Sequence, residues 1–337
     1  MTITATDSIW LAGLLLLACW LLDTSLGRKA LADSLPRRNS MPLYMPLVPL
    51  TLWFGGVAMA VVLVQKLTPG LQGWQEIFRD HIVMSIGAVV TIAVMMFLAD
   101  THFSRRLKGF GLNIRTIVRD LFMAIVNLLA VWPLILAAIT VTIFFVELLS
   151  GRQYQMQSHQ QLEMVAEYPQ LPLRIMIVFV AVVIAPLLEE MMFRGFVQTT
   201  IRSILDLRFS PWRGHLALVP DHRQACPERS RRDANGTQGV ARPSWPCVQF
   251  EGGTPSPHGL ATIGNRQSAT AWPAIMASSV FFAIMHEDPA HWPALFVLGV
   301  CLGYSYEKSG SLFRPIFIHL FFNATSVAIA LYQAGAQ

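Results

Sequence analysis

Two adjacent carboxylates, Glu189 and Glu190, stand at the end of the uncharged run Ile175–Leu188, in the stretch VVIAPLLEEMMFRGF. An acidic residue at the centre of a membrane helix costs about 2.5–3.5 kcal/mol on insertion scales, and a pair costs more unless it is protonated, paired or faces a polar cavity. Arg194 follows Glu190 by one helical turn and offers an ion pair on the same face. Glu189 points about 100° away and is free to meet another group. Pro186 is placed to open the helix just before the pair, leaving carbonyls for water or substrate. A carboxylate drawn out of water is suited to general-base work on a water molecule.

Two further polar elements lie in apolar surroundings. In SSVFFAIMHED, His286 ends an apolar run, with Phe282 one turn earlier on the same face. In GSLFRPIFIHLFFNAT, His319 and Asn323 are four residues apart and project from one face of the last helix. An imidazole and a carboxamide so aligned can polarise a carbonyl, stabilise an oxyanion or bind a metal. Singly, each element has a plain structural reading: acids at a helix end, an interfacial histidine, polar side chains packing between helices. Glu and two His are also the ligand and base types of zinc hydrolases. The soluble HExxH signature is absent, so any metal site must be assembled from separate helices.

The elements that must position these residues are membrane helices. Apolar residues make up 54% of the 337-residue chain and charged residues 13%, about half the share of a soluble protein. The uncharged runs predict an all-α polytopic membrane protein with about eight spans: Ile9–Leu22, Leu43–Val64, Ile82–Leu98, Leu121–Val146, Leu173–Thr199, Trp272–Met285, Pro293–Tyr306 and Pro315–Tyr332. The first, sixth and seventh are short, hence tilted, partly re-entrant or extended by their flanks. No Lys or Arg precedes Ile9, so the first run reads as a retained helix rather than a cleaved leader. Cys19 and Cys301 lie in apolar runs as small hydrophobes, and the four cysteines form no CxxC pair.

Charge supports the alternation. The loop after the first span carries Arg28, Lys29, Arg37 and Arg38, and the linker after the third carries Arg105, Arg106, Lys108 and Arg115. The opposite loops are nearly free of cations: Lys66 and Arg79 in 65–81, and Arg152 in 147–172. Both termini are therefore expected outside and the loop after Thr199 in the cytoplasm, in what is expected to be the plasma membrane. The excess of 5 positive charges reads as topogenic, not as a nucleic-acid surface. Residues 209–270, rich in Pro, Gly and Arg, read as a flexible cytoplasmic insertion. It divides the chain into 1–108 (N-terminal helices and linker), 109–208 (core helices with the Glu pair), the insertion, and 271–337 (core helices with the histidines). His215, His222, His258, Cys226 and Cys247 within it fit no standard metal spacing.

Taken in order, Glu189-Glu190…Arg194, Phe282…His286 and His319…Asn323 match EExxxR, FxxxH and HxxxN. This resembles the CAAX-protease and bacteriocin-processing family, also called the Abi family, of intramembrane metalloproteases. The segment LGYSYEKSGSLFRPIFIH, with Gly303, Gly310, Ser311, Leu312 and Pro315, and the upstream GFGLNIRTIVRDL are similar to family elements. The resemblance covers about residues 109–330; the first hundred residues lie outside it, and the 62-residue insertion exceeds the family's usual connection. It implies a helical core with a water-filled cavity where a peptide bond of a membrane-anchored or lipidated protein is cut. Glu189 would activate water, and His286 would assist or hold a metal. His319 and Asn323 would bind a metal or stabilise the oxyanion, with Glu190, Arg194 and Phe282 in support. A zinc ion, if used, would sit on Glu189, His286 and His319.

Two other functions remain open at this stage: a non-catalytic immunity or scaffold protein of the same fold, and a transporter with a proton relay, for which no internal repeat is seen. One geometric difficulty is evident. Counted along the spans, the Glu pair lies about 21 Å from the outer face, while His286 sits about 18 Å above the inner one, a mismatch of roughly 9 Å. Tilt, a kink at Pro186 or a sixth helix beginning inside the membrane is expected to close it.

Overall fold

A computed structural model describes residues 5–34, 36–154, 164, 167–209 and 257–335, with the backbone alone for 5–7, 209, 257–269 and 333–335. It is all-α. Among the described residues the helices are α1 Ala5–Asp23, α2 Leu47–Leu67, α3 Trp74–His102, α4 Arg106–Phe110, α5 Ile114–Ser150, α6 Leu171–Phe209, α7 Pro257–Ile284, α8 Trp292–Ser309 and α9 Phe313–Gly335. An uncharged chain in hydrocarbon must satisfy its backbone internally, which a helix does residue by residue.

Six of the eight expected spans fall within these helices; Leu43–Val64 begins before α2 at Leu47, Trp272–Met285 overruns α7 by one residue, and α4 is the ninth helix. Five are long and apolar enough to cross a membrane: α2, α3, α5, α6 and α9. The apolar parts of α1 and α7, Ser8–Asp23 and Thr270–Ile284, are shorter. Of the insertion expected over 209–270, residues 210–256 lie outside the described residues, and α7 already begins at Pro257.

The short sixth and seventh spans form a hairpin. Ser278 of α7 donates to the Phe193 carbonyl of α6 at 3.3 Å, and Arg194 donates to Gly299 of α8 at 3.3 Å. The α7–α8 turn after Ile284 therefore lies near the level of Glu190, while α6 continues roughly 27 Å further to Leu171. His286 sits at the tip of this hairpin, and that removes the expected depth mismatch.

Two π-helical segments, Val180–Ile184 and Met191–Gln198, bracket the Glu pair on α6. In the first, an i→i−5 pairing would direct the amide of residue 186 to the Ala181 carbonyl, but Pro186 has no N–H. The freed carbonyl accepts instead from Asn323 Nδ2 on α9, at 2.8 Å. Around the second, Phe110, Phe193, Phe196 and Phe282 pack into the largest buried cluster. Gly195 permits this: a Cβ there would lie 2.2 Å from the Phe110 ring.

The two basic loops converge on one end of the bundle. Asn39 bridges to Phe103, and Arg37 donates to the carbonyls of Gly109 and Gly310 at 3.0 and 3.3 Å while its guanidinium lies 3.8 Å from the Tyr306 ring centroid. Gly111 and Gly310 end α4 and α8 in left-handed geometry (φ 112° and 70°), which only glycine adopts cheaply. The turns then meet where the Leu312 amide donates to the Gly111 carbonyl at 2.9 Å.

Candidate active site

Three helices bring the expected residues together. From α6, Glu190 is fully buried, and its Oε1 accepts from Arg194 at 3.1 Å. The same oxygen accepts from His319 Nδ1 of α9 at 2.9 Å. Arg194, also fully buried, donates onward to Gly299 of α8, and its guanidinium carbon sits 4.5 Å from the centroid of Phe282 on α7. One guanidinium is thus held by a carboxylate, a carbonyl and an aromatic face, which offsets the cost of burying its charge.

This chain of contacts fixes the imidazole. A carboxylate only accepts, so with Glu190 ionised against Arg194 the His319 Nδ1–H points at Glu190. Nε2 is left to face Glu189, whose Oε2 is 3.8 Å away. That gap is too long for a hydrogen bond. Glu189 Oε2 is buried without a hydrogen-bond partner, yet the side chain as a whole is 26% exposed, against 4% for His319 and none for Glu190. Glu189 is the member of the cluster that meets the outside.

Phe282 stands edge-on to both histidines, with ring centroids 5.0 Å from His286 and 5.6 Å from His319. The two imidazoles thus flank one phenyl ring. His286 Nδ1 donates to the Phe282 carbonyl at 2.9 Å, and the His286 carbonyl accepts from Trp292 at 2.9 Å, which pins the hairpin tip and leaves Nε2 uncommitted. No hydrogen bond or ion pair joins His286 to Glu189 or His319. Asn323 has one amide hydrogen on Ala181, so it joins α9 to the α6 bulge rather than to the carboxylates.

The donor arrangement bears on the expected zinc site. Glu189 and His319 Nε2 approach each other, but His286 does not complete a set with them. Among the described residues no group of three or more His, Cys, Asp or Glu side chains is placed to share an ion. The expected Glu189, His286 and His319 ligand set does not converge here.

Several supporting residues were not apparent from the sequence. Gln198, Arg202 and Glu307 form a buried network next to Arg194. Asn127 of α5 donates to Ser305 of α8 at 2.9 Å, and buried Asp120 of α5 pairs with Arg314 of α9 at 2.9 Å. The four-residue repeat Glu190, Arg194, Gln198, Arg202 is the sequence signal that could have found Gln198 and Arg202.

Comparison with known families supplies an independent finding. Residues 171–325 match the family of type II CAAX prenyl endopeptidase Rce1-like proteins, a family of intramembrane proteases acting on protein substrates. Curated proteins and solved structures return no match. The matched stretch contains Glu189, Glu190, Arg194, Phe282, His286, His319 and Asn323, and leaves out α1 to α5. Residues 171–325 are accordingly a domain of the Rce1-like type II CAAX prenyl endopeptidase family.

Proposed function

We propose that the protein is an intramembrane endopeptidase that hydrolyses a peptide bond in a membrane-anchored or lipidated protein, with Glu189 as general base. The observation that carries this reading is the unpartnered, buried Oε2 of Glu189, 3.8 Å from a His319 nitrogen whose ring is oriented by Glu190 and Arg194. A water bridging Glu189 and His319 gives its proton to Glu189 as its oxygen attacks the scissile carbonyl. The proton then passes to the departing amine, leaving a new carboxyl and a new amine terminus. His319, orientated by Glu190, accepts from that water through Nε2, and His286 at the hairpin tip, whose Nε2 is also free to accept, assists the proton transfer. Asn323 contributes through its remaining amide hydrogen or by holding α9 on α6. The chain lies in the plasma membrane with both termini outside, so that the basic loops and the segment after α6 face the cytoplasm.

Cleavage of membrane-anchored and prenylated peptides by purified protein tests the reading, with wild type beside Glu189→Ala and His319→Ala, each with and without chelator. Cleavage by wild type alone is expected. Equal activity in the three proteins would end the peptidase assignment, and no cleavage in any with binding retained favours a peptide-binding membrane factor instead. Loss on chelation would place an ion on Glu189 and His319.

A further inference from the structure

The polar contacts of the site continue past Arg194. On α6, Glu190, Arg194, Gln198 and Arg202 recur every four residues; on α8 they face Gly299, Gly303 and Glu307, also every four. Arg194 donates to the Gly299 carbonyl, and Gln198 Nε2 donates to both the Gly303 carbonyl (3.2 Å) and Glu307 Oε1 (3.1 Å). Arg202 pairs with Glu307, and its other terminal nitrogen donates to the Ser34 carbonyl at 2.8 Å. All four α6 residues are at most 2% exposed.

Two features make this ladder specific. In an α-helix each four-residue step drifts by about 40°, and the wider π-helical turn of Met191–Gln198 compensates, keeping the stripe on the α8 face. The glycines make room for the contacts: a Cβ on Gly303 would lie 2.6 Å from Gln198 Oε1 of α6, and one on Gly299 3.0 Å from Ser279 of α7. Slippage of α6 along α8 by one turn would still offer a carbonyl to Arg194, but it would strand Glu307 and Arg202 as unpaired buried charges. Such a loss costs far more than the pair gains, so the pair selects one register.

We infer that Gln198, Arg202 and Glu307 are positioning residues for the proposed reaction. They lock α8 on α6 in the register that offers Gly299 to Arg194, and Arg194 in turn sets Glu190 and the His319 ring. The far end of the ladder is anchored on Ser34, which lies outside the family-matched residues. This rests on the peptidase reading for its kinetic consequence and not for its geometric one.

The experiment uses the full chain in lipid nanodiscs. Gln198→Leu and Glu307→Gln are compared with the conservative Gln198→Asn and Glu307→Asp. Readouts are kcat, KM, the pH profile of kcat, thermal stability, and the 15N NMR signals of the His319 ring. Gln198→Leu is expected to lower kcat at least 10-fold with KM within about 2-fold. It should also displace the pH profile and move the His319 ring signals, while at least one conservative variant recovers to within about 3-fold. If Glu307→Gln does not fold, Gln198→Leu, which introduces no charge, decides alone. Folded variants with wild-type kcat, pH profile and His319 signals overturn the inference. So do variants that lose stability with the His319 signals unmoved. If wild type itself shows no cleavage but the His319 signals respond, the peptidase reading fails and the positioning role stands.

Discussion

At the scale of residues, two adjacent carboxylates have separate tasks because their surroundings differ. Glu190 is fully buried and saturated on one oxygen by Arg194 and His319, whereas Glu189 is partly exposed and bonded by neither. Replacing Glu189 by Gln keeps shape and removes the base. The expected result is a kcat lower by about 10²- to 10⁴-fold with unchanged thermal stability, measured on one preparation. Asn323→Leu leaves the Ala181 carbonyl without its donor and should destabilise by about 1–3 kcal/mol in reversible unfolding from mixed micelles. The pairing of Glu190 with Arg194 was legible because both lie on one helix, one turn apart. The partner of Asn323 was not, since it depends on a bulge in another helix and on a missing proline N–H. Gln198, Arg202 and Glu307 escaped for a related reason: read singly, each is an ordinary polar group near a helix end.

At the scale of elements, hydropathy located every expected span but not how far each reaches. α7 and α8 looked like two short crossings, and they form a hairpin whose tip carries His286 to the level of the Glu pair. The packing that supports the hairpin is close where glycine allows it. Gly195→Ala should destabilise by about 1–3 kcal/mol, because the new methyl meets the Phe110 ring. Gly55→Ala, with nothing within 4 Å, should be neutral or stabilising by up to about 1 kcal/mol. The pair of variants is read by the same unfolding assay, and equal effects would argue against the Phe110–Gly195 contact.

At the scale of the molecule, the family-matched part and the N-terminal helices are bound into one another. Leu31 is fully buried against Ala271 and Ile275 of α7, Ser34 accepts from Arg202, and Arg37 holds the ends of α4 and α8. These contacts run across the boundary at residue 108 suggested by the sequence. Loop 24–46 reads as a basic, topogenic connection, and its apolar Ala30-Leu31 step gives no periodic signal of burial. A chain lacking residues 1–40 should lose the monodisperse elution of the full protein on size exclusion, although every motif residue remains. Retained elution and retained activity would show residues 1–40 to be dispensable.

The central claim is that Glu189 activates a water which ends in the new carboxyl group. Cleavage in H₂¹⁸O, followed by mass spectrometry of the fragments, tests it most directly. With wild-type protein one ¹⁸O should appear in the new C-terminal carboxyl of the membrane-anchored substrate, and none should appear with Glu189→Gln. Equal incorporation by both proteins would contradict the assignment of Glu189 as the base.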